Sequence, residues 1–285
     1  MNCKPNECNT CQSTTCGEKK PNGNQQQSGI ERLATHRMNT INHVLAVMSG
    51  KGGVGKSSVT ALLASELSRH GFKVGILDAD VTGPSIPKMF GIKERPKADR
   101  NGIYPPASNS GIKVMSVNLL LEKEDDPVIW RGPVIAGAVR QFWSEVIWGK
   151  LDFLLVDLPP GTGDSPLTVM QSLPVNGVVI VSSPQDLAHM VVRKAIKMVK
   201  KLDIPIFGIV ENMSYLQCPH CQEAIEIFGS RTEAQDNPEI PILGEAPLDP
   251  ALSRMCDEGV VEFYTSQWIT KIAEGILAKT IKGKN

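Results

Sequence analysis

Gly50-Lys51-Gly52-Gly53-Val54-Gly55-Lys56-Ser57 has the residue types and order of a phosphate-binding loop, with two glycines bracketing four residues and Lys-Ser following. A glycine-rich turn between strand and helix aims backbone N–H groups and the positive helix end at one point, where a polyphosphate can sit. Lys56 would reach the β- and γ-phosphates, and the Ser57 hydroxyl would ligate Mg²⁺. An unrelated glycine-rich turn would not require Lys-Ser at this offset.

Two carboxylates stand where such a loop needs them. Asp80 lies in Asp78-Ala79-Asp80-Val81-Thr82-Gly83-Pro84-Ser85, just after an apolar run at 73–77. Asp157 ends Leu154-Leu155-Val156-Asp157 and precedes Leu158-Pro159-Pro160-Gly161-Thr162-Gly163-Asp164. A hydrophobic strand ending in Asp beside a phosphate loop supplies the carboxylate that holds Mg²⁺, often through water. The glycines and prolines after it suit a switch loop whose backbone senses the γ-phosphate. Either aspartate alone would read as a turn or helix-cap residue.

The cysteines form two groups. Cys218-Pro219-His220-Cys221 follows Glu211-Asn212-Met213-Ser214 by a few residues. As a redox pair it would belong at a helix start of a small sheet, and as a zinc ribbon it would need a second pair. A third arrangement sets two chains across a two-fold axis, so that four thiolates hold one [4Fe–4S] cluster. Cys3, Cys8, Cys11 and Cys16 lie in a polar tail with almost nothing apolar to bury, yet they offer a full thiolate set for an iron–sulfur or zinc site. Cys256 has no partner in either scheme and reads as a small buried hydrophobe.

Among the elements around these residues, Val44 to Met48 reads as a buried strand. Val59, Leu62, Leu63 and Leu67 recur at helical spacing behind the loop. Further strands are expected at 73–77, 112–117, 151–156, 177–181 and 205–210, with helices at 134–148, 185–202 and 266–280. Residues 91–111 read as a surface excursion. Alternating strand and helix, with near-continuous apolar strands, predicts an α/β fold: a doubly wound, mostly parallel sheet flanked by helices. Helix 134–148 should bury Phe142 and at least one of Trp143 and Trp148, and helix 185–202 should turn Lys197, Lys200 and Lys201 outward. Residues 1–40 are expected to be a largely disordered Cys-containing tail and linker, and 41–285 the nucleotide-binding domain.

Composition sets outer bounds. The 285 residues carry 30 basic and 30 acidic side chains, so no overall field favours nucleic acid. No apolar run is long enough for a membrane span, and the N-terminus lacks a secretory h-region. Seven cysteines, an odd number, suit a reducing compartment and metal ligation better than a disulfide framework. A cytoplasmic protein is expected.

With Lys51 counted, Lys51-Gly52-Gly53-Val54-Gly55-Lys56-Ser57-Ser58 resembles the deviant Walker A loop of a class of dimeric P-loop ATPases. Trp130-Arg131-Gly132-Pro133, Ile227-Phe228-Gly229, Pro247-Leu248-Asp249-Pro250 and the Cys218–Cys221 pair narrow the likeness. From about 43 to 280 the chain is similar to the Mrp/ApbC carriers and scaffolds of iron–sulfur cluster assembly. The resemblance implies an ATPase that binds ATP and Mg²⁺ through Gly50 to Ser58 and transfers a labile [4Fe–4S] cluster to apoproteins. It implies that Lys51 stabilises charge on the facing subunit's nucleotide, in the manner of an arginine finger. It further implies that Asp80 orients or deprotonates the attacking water, that Asp157 supports Mg²⁺ and that Asn212 reads adenine. The expected partners are a second copy of the chain and recipient apo iron–sulfur proteins, without nucleic acid or membrane. The four-cysteine tail resembles that of the cytosolic scaffold branch, but its spacing of Cys3, Cys8, Cys11 and Cys16 departs from that pattern. Two rivals remain: a Min/Par-type positioning ATPase, which needs an exposed basic amphipathic C-terminal helix, and a zinc-binding nucleotide-dependent regulator.

Overall fold

The central strand, β1 (Thr40–Ser49), shows why the chain folds in three layers. Leu45 and Val47 point into one apolar core, and Val44, Ala46 and Met48 point into another. A strand buried on both faces must lie inside a sheet with helices on each side. The computed structural model describes residues 33–80, 85–120, 132–184, 186–221, 223–228 and 240–282. Cys3, Cys8, Cys11 and Cys16, Val81 to Pro84, Trp130 and Arg131, and Gly229 therefore lie outside the described residues.

After β1 come α1 (Lys56–Arg69), β2 (Val74–Asp78), the short α2 (Ile86–Met89), β3 (Lys97–Asp99), β4 (Gly102–Tyr104) and β5 (Lys113–Ser116). Then follow α3 (Gly132–Glu145), β6 (Lys150–Asp157), α4 (Asp164–Ser172), β7 (Gly177–Ser182), α5 (Asp186–Lys201) and β8 (Ile206–Glu211). The chain ends with β9 (Leu216–Gln217), β10 (Ala224–Ile225), β11 (Ile242–Glu245), α6 (Pro250–Glu258) and α7 (Gln267–Lys282). Seven of these strands form one sheet in the order β11-β8-β7-β1-β6-β2-β5. Every pairing in it is parallel. The fold is the doubly wound α/β sheet, and the strand order reverses beside β1, where ligands of open sheets bind.

Helices α1 and α7 cover one face, while α3, α4 and α5 cover the other. Phe142, Trp143 and Trp148 are all buried, as the apolar stripe requires. The helix expected to reach 148 stops at Glu145, because the Ile147 N–H turns aside to the Ile103 carbonyl at 2.7 Å. Lys197, Lys200 and Lys201 face outward on α5.

Several elements were not anticipated. The 91–111 excursion contains the hairpin β3–β4, and the edge strand β11 and helices α4 and α6 also emerge. Residues 33–39, expected as linker, are held at the end of α3: Trp143 Nε1 donates to the Leu33 carbonyl at 2.8 Å, and Asn39 Nδ2 donates to the Val146 carbonyl at 2.9 Å. The C-terminal helix is core. Ile269, Ile272 and Ile276 of α7 are fully buried, so its apolar stripe is not offered to a membrane surface. No helix among the described residues is long and apolar enough to cross a membrane.

Candidate functional site: a phosphate loop and a cysteine hairpin

The loop between β1 and α1 is shaped by Gly50, Gly53 and Gly55, where a side chain would be strained or would clash. Gly53 and Gly55 adopt left-handed φ values of 78° and 79°. A Cβ on Gly55 would strike the Asn212 carboxamide, and one on Gly50 would strike Val191 of α5. Asn212, one residue past β8, donates from Nδ2 to the Val54 carbonyl at 2.9 Å, which ties the end of β8 to the loop. Its backbone N–H is held by the Ser182 carbonyl at 2.8 Å.

Behind the loop, the strand register gathers the carboxylates. Asp157 ends β6 and pairs with Asp78, the last residue of β2. Asp157 Oδ2 accepts hydrogen bonds from Lys56 Nζ at 2.7 Å and from Ser57 Oγ at 2.6 Å. Its Oδ1 accepts from Thr60 Oγ1 at 2.8 Å. Lys56 Nζ also lies 3.4 Å from Asp80 Oδ2. Burial by itself would lower the pKa of the Lys56 ammonium, but the charges of Asp157 and then Asp80 outweigh it and raise the pKa. One cation thus faces three neighbouring carboxyls. Burial, reinforced by Asp157, pushes the Asp78 carboxyl well above its ordinary range and favours its protonated form.

Asp78, the first aspartate of Asp78-Ala79-Asp80, has a positioning role. Its Oδ2 accepts from Ser116 Oγ at 3.0 Å, and its Oδ1 accepts the Asp80 backbone N–H at 3.1 Å, so it fixes the turn that carries Asp80. Thr60 and Ser116 were missed. Thr60 lies one helical turn beyond Lys56, and Ser116 ends the strand beside β2, so only helix phase and strand register could have pointed to them.

A cleft of about 210 Å³ opens over Gly53, Lys56, Ser57 and Asp80. Ser57 and Asp80 line it, with Asp157 buried behind Ser57 and accepting from its hydroxyl, and a hydroxyl with carboxylates is the donor set a hard divalent cation takes. The residues therefore fit Mg²⁺ carried in by a polyphosphate. Ser58 sits on the same loop and shares a hydrogen bond with the Cys256 thiol. Cys256 is half-buried against the core, and burial raises its thiol pKa. Lys51 lies partly exposed on the loop.

Six positions beyond Asn212, Cys218 begins the tip of the hairpin β9–β10. The Cys218 N–H donates to the Glu223 carbonyl at 2.9 Å and closes that tip. Cys218 is half-exposed and Cys221 exposed. The backbone N–H groups of Cys221 and His220 point at the Cys218 sulfur and lower its thiol pKa, which favours the thiolate that binds metal. Among the described residues no group of three or more His, Cys, Asp or Glu side chains is placed to hold a metal. The hairpin thus presents two thiols three residues apart.

Comparison with known proteins places this geometry. A family model described as "ParA: NUBPL iron-transfer P-loop NTPase" matches residues 40–281. An "Iron-sulfur cluster carrier protein" of Methanocaldococcus jannaschii is 44% identical, over 98% of this chain and 97% of its own length. The "Iron-sulfur cluster transfer protein NUBPL" of Dictyostelium discoideum is 45% identical, over 77% of this chain and 69% of its own. Among solved structures, a nucleotide-binding protein of Archaeoglobus fulgidus in complex with ADP is 48% identical with a TM-score of 0.72, covering 80% of this chain and 90% of that one. The septum site-determining protein MinD of Pyrococcus horikoshii, at 22% identity and a TM-score of 0.58 over 84% of this chain and 98% of its own, shares the fold.

Proposed function

Since the chain belongs to the family of NUBPL iron-transfer P-loop NTPases, we propose that it binds and slowly hydrolyses ATP while carrying a labile [4Fe–4S] cluster to apoproteins. The observation that carries this reading is the two-thiol hairpin, with no group of three or more metal-ligating side chains among the described residues, a few residues from an asparagine pinned to the phosphate loop. Two thiolates per chain meet a four-thiolate requirement when two chains face each other. Ligands contributed by separate subunits part when the interface opens, which accounts for lability.

Lys56 Nζ and Ser57 Oγ both donate to Asp157. An arriving triphosphate competes for the ammonium, and Mg²⁺ competes for the hydroxyl and carboxylate. ATP binding therefore rearranges the contacts between α1, β6 and the turn at Asp80. Gly161, which follows Asp157 in the proposed switch loop, donates its N–H to the Ser49 carbonyl at the end of β1 at 2.9 Å. That contact couples the switch to the same loop. Asp80 is assigned to the attacking water, Asp157 to Mg²⁺ and Asn212 to the adenine edge. Lys51 is assigned to the partner's nucleotide. If so, mixing Lys51→Ala with Asp80→Ala chains will restore turnover that neither variant has alone, because one site of each mixed dimer keeps both groups. Mixtures no more active than their components would remove the role in trans.

Cluster delivery is tested by anaerobic reconstitution of the chain and incubation with an apoenzyme that needs a [4Fe–4S] centre. The expected result is recovery of the recipient's activity at a rate exceeding that given by free iron and sulfide. Recovery no faster than from the free ions would reject the carrier function.

A further inference from the structure

At the edge of the sheet opposite the phosphate loop, three adjacent strands begin with lysines. Lys73 immediately precedes β2, Lys113 is the first residue of β5, and Lys150 is the first residue of β6. They line a cleft of about 470 Å³ with Val74 and Leu151. β6 runs eight residues from this edge to Asp157, a span of roughly 26 Å at the usual rise. The cleft is therefore separate from the nucleotide site.

The charge in this cleft is not balanced from within. Among the described residues no carboxylate lies within ion-pair distance of Lys73, Lys113 or Lys150. Two carboxylates bonded to residues at the cleft are engaged otherwise. Asp152 accepts the Lys73 backbone N–H at 2.9 Å and Asn42 Nδ2 at 3.2 Å. Glu262 accepts from Ser108 Oγ at 2.7 Å and from the Ser110 and Asn109 N–H groups at 2.9 and 3.2 Å. Lys113 is half-buried, and its ammonium donates to the Trp148 carbonyl at 2.6 Å, leaving further N–H donors for a ligand. Its pKa is lowered, first by burial and then by the like charge of Lys73. Cations held together without a counter-ion destabilise one another, and a bound anion relieves that cost.

We propose that this cleft binds a small, multiply charged oxyanion of the phosphate class, held by Lys73, Lys113 and Lys150. The volume lies within the range of small-ligand sites, whereas an extended acidic peptide would call for a groove. Lysines present point charges rather than the planar fork of arginine, so the site selects by charge and size.

The test uses full-length protein saturated with Mg²⁺ and a non-hydrolysable ATP analogue, so that the phosphate loop is occupied. Inorganic phosphate is then titrated calorimetrically at constant ionic strength. The expected result is one bound phosphate per chain. Lys113→Gln should weaken binding about tenfold, as loss of a charge-assisted hydrogen bond predicts. Lys73→Gln and Lys150→Gln, at exposed positions where the fold is not at stake, should weaken it in the same direction. Phosphate should also raise the melting temperature of the wild type more than of these variants. Absence of binding to the wild type, or binding that Lys73→Gln and Lys150→Gln leave unchanged, would overturn the proposal.

Discussion

Lys56→Ala will abolish ATP turnover, with a loss of about 10²- to 10³-fold or more, the scale for removing one preorganised charge-stabilising group. Lys56 is 5% exposed, and its ammonium bonds Asp157 at 2.7 Å and lies 3.4 Å from Asp80. Without it the phosphates lose their side-chain partner, and the fully buried Asp157 loses the ammonium bonded to it. Breaking a buried pair from one side costs about 3–5 kcal/mol. The variant should therefore be markedly less stable in urea at neutral pH. The sign with pH follows. The Asp78 carboxyl is already raised above its ordinary range by burial and Asp157, and Lys56 is what opposes that rise, so the variant binds a proton on folding and regains stability as pH falls. Unfolding curves at several pH values, with phosphate release, check both parts. Unchanged turnover would remove the phosphate-binding assignment of residues 50–57.

Cys218→Ser combined with Cys221→Ser will strip the chain of reconstituted iron while sparing ATP binding. The hairpin tip is closed by a backbone bond between the Cys218 N–H and the Glu223 carbonyl, which serine preserves. What changes is sulfur: a serine hydroxyl does not supply the thiolate that an iron–sulfur cluster needs. Iron and sulfide content should fall to background, and nucleotide affinity should stay within about twofold, because the exposed tip and the loop at 50–57 are separate structures. Full iron content in the double variant would place the cluster elsewhere.

Much of this architecture is legible in the chain because it rests on short-range rules. The loop at 50–57 and the apolar runs that become β1, β2, β6, β7 and β8 are local signals of composition and period. Asp157 is readable because a strand end is a place as well as a residue. What stays hidden depends on register and phase. That Asp78 stands beside Asp157, that Ser116 reaches Asp78 and that Thr60 reaches Asp157 follows only once three strands and one helix are in place. The lysine cleft is hidden for the same reason, since Lys73, Lys113 and Lys150 meet only when β2, β5 and β6 lie side by side. β11 has just four residues in an edge position, too few for a clear pattern, and α4 carries Pro166 in its first turn, which reads as loop. The C-terminal helix shows the reverse case. Its apolar stripe suited either a membrane surface or a core, and packing on α1 and β11 decides for core.

The account turns on a cluster shared between two chains through Cys218 and Cys221. The most direct measurement takes full-length protein with Cys3, Cys8, Cys11 and Cys16 all replaced by serine, reconstitutes it anaerobically, and combines iron and sulfide counting with mass in solution. Four irons per two chains, in a dimer that falls apart when the cluster is chelated, is the predicted result. A monomer holding a complete cluster, or a chain that holds none once the tail cysteines are gone, would contradict it.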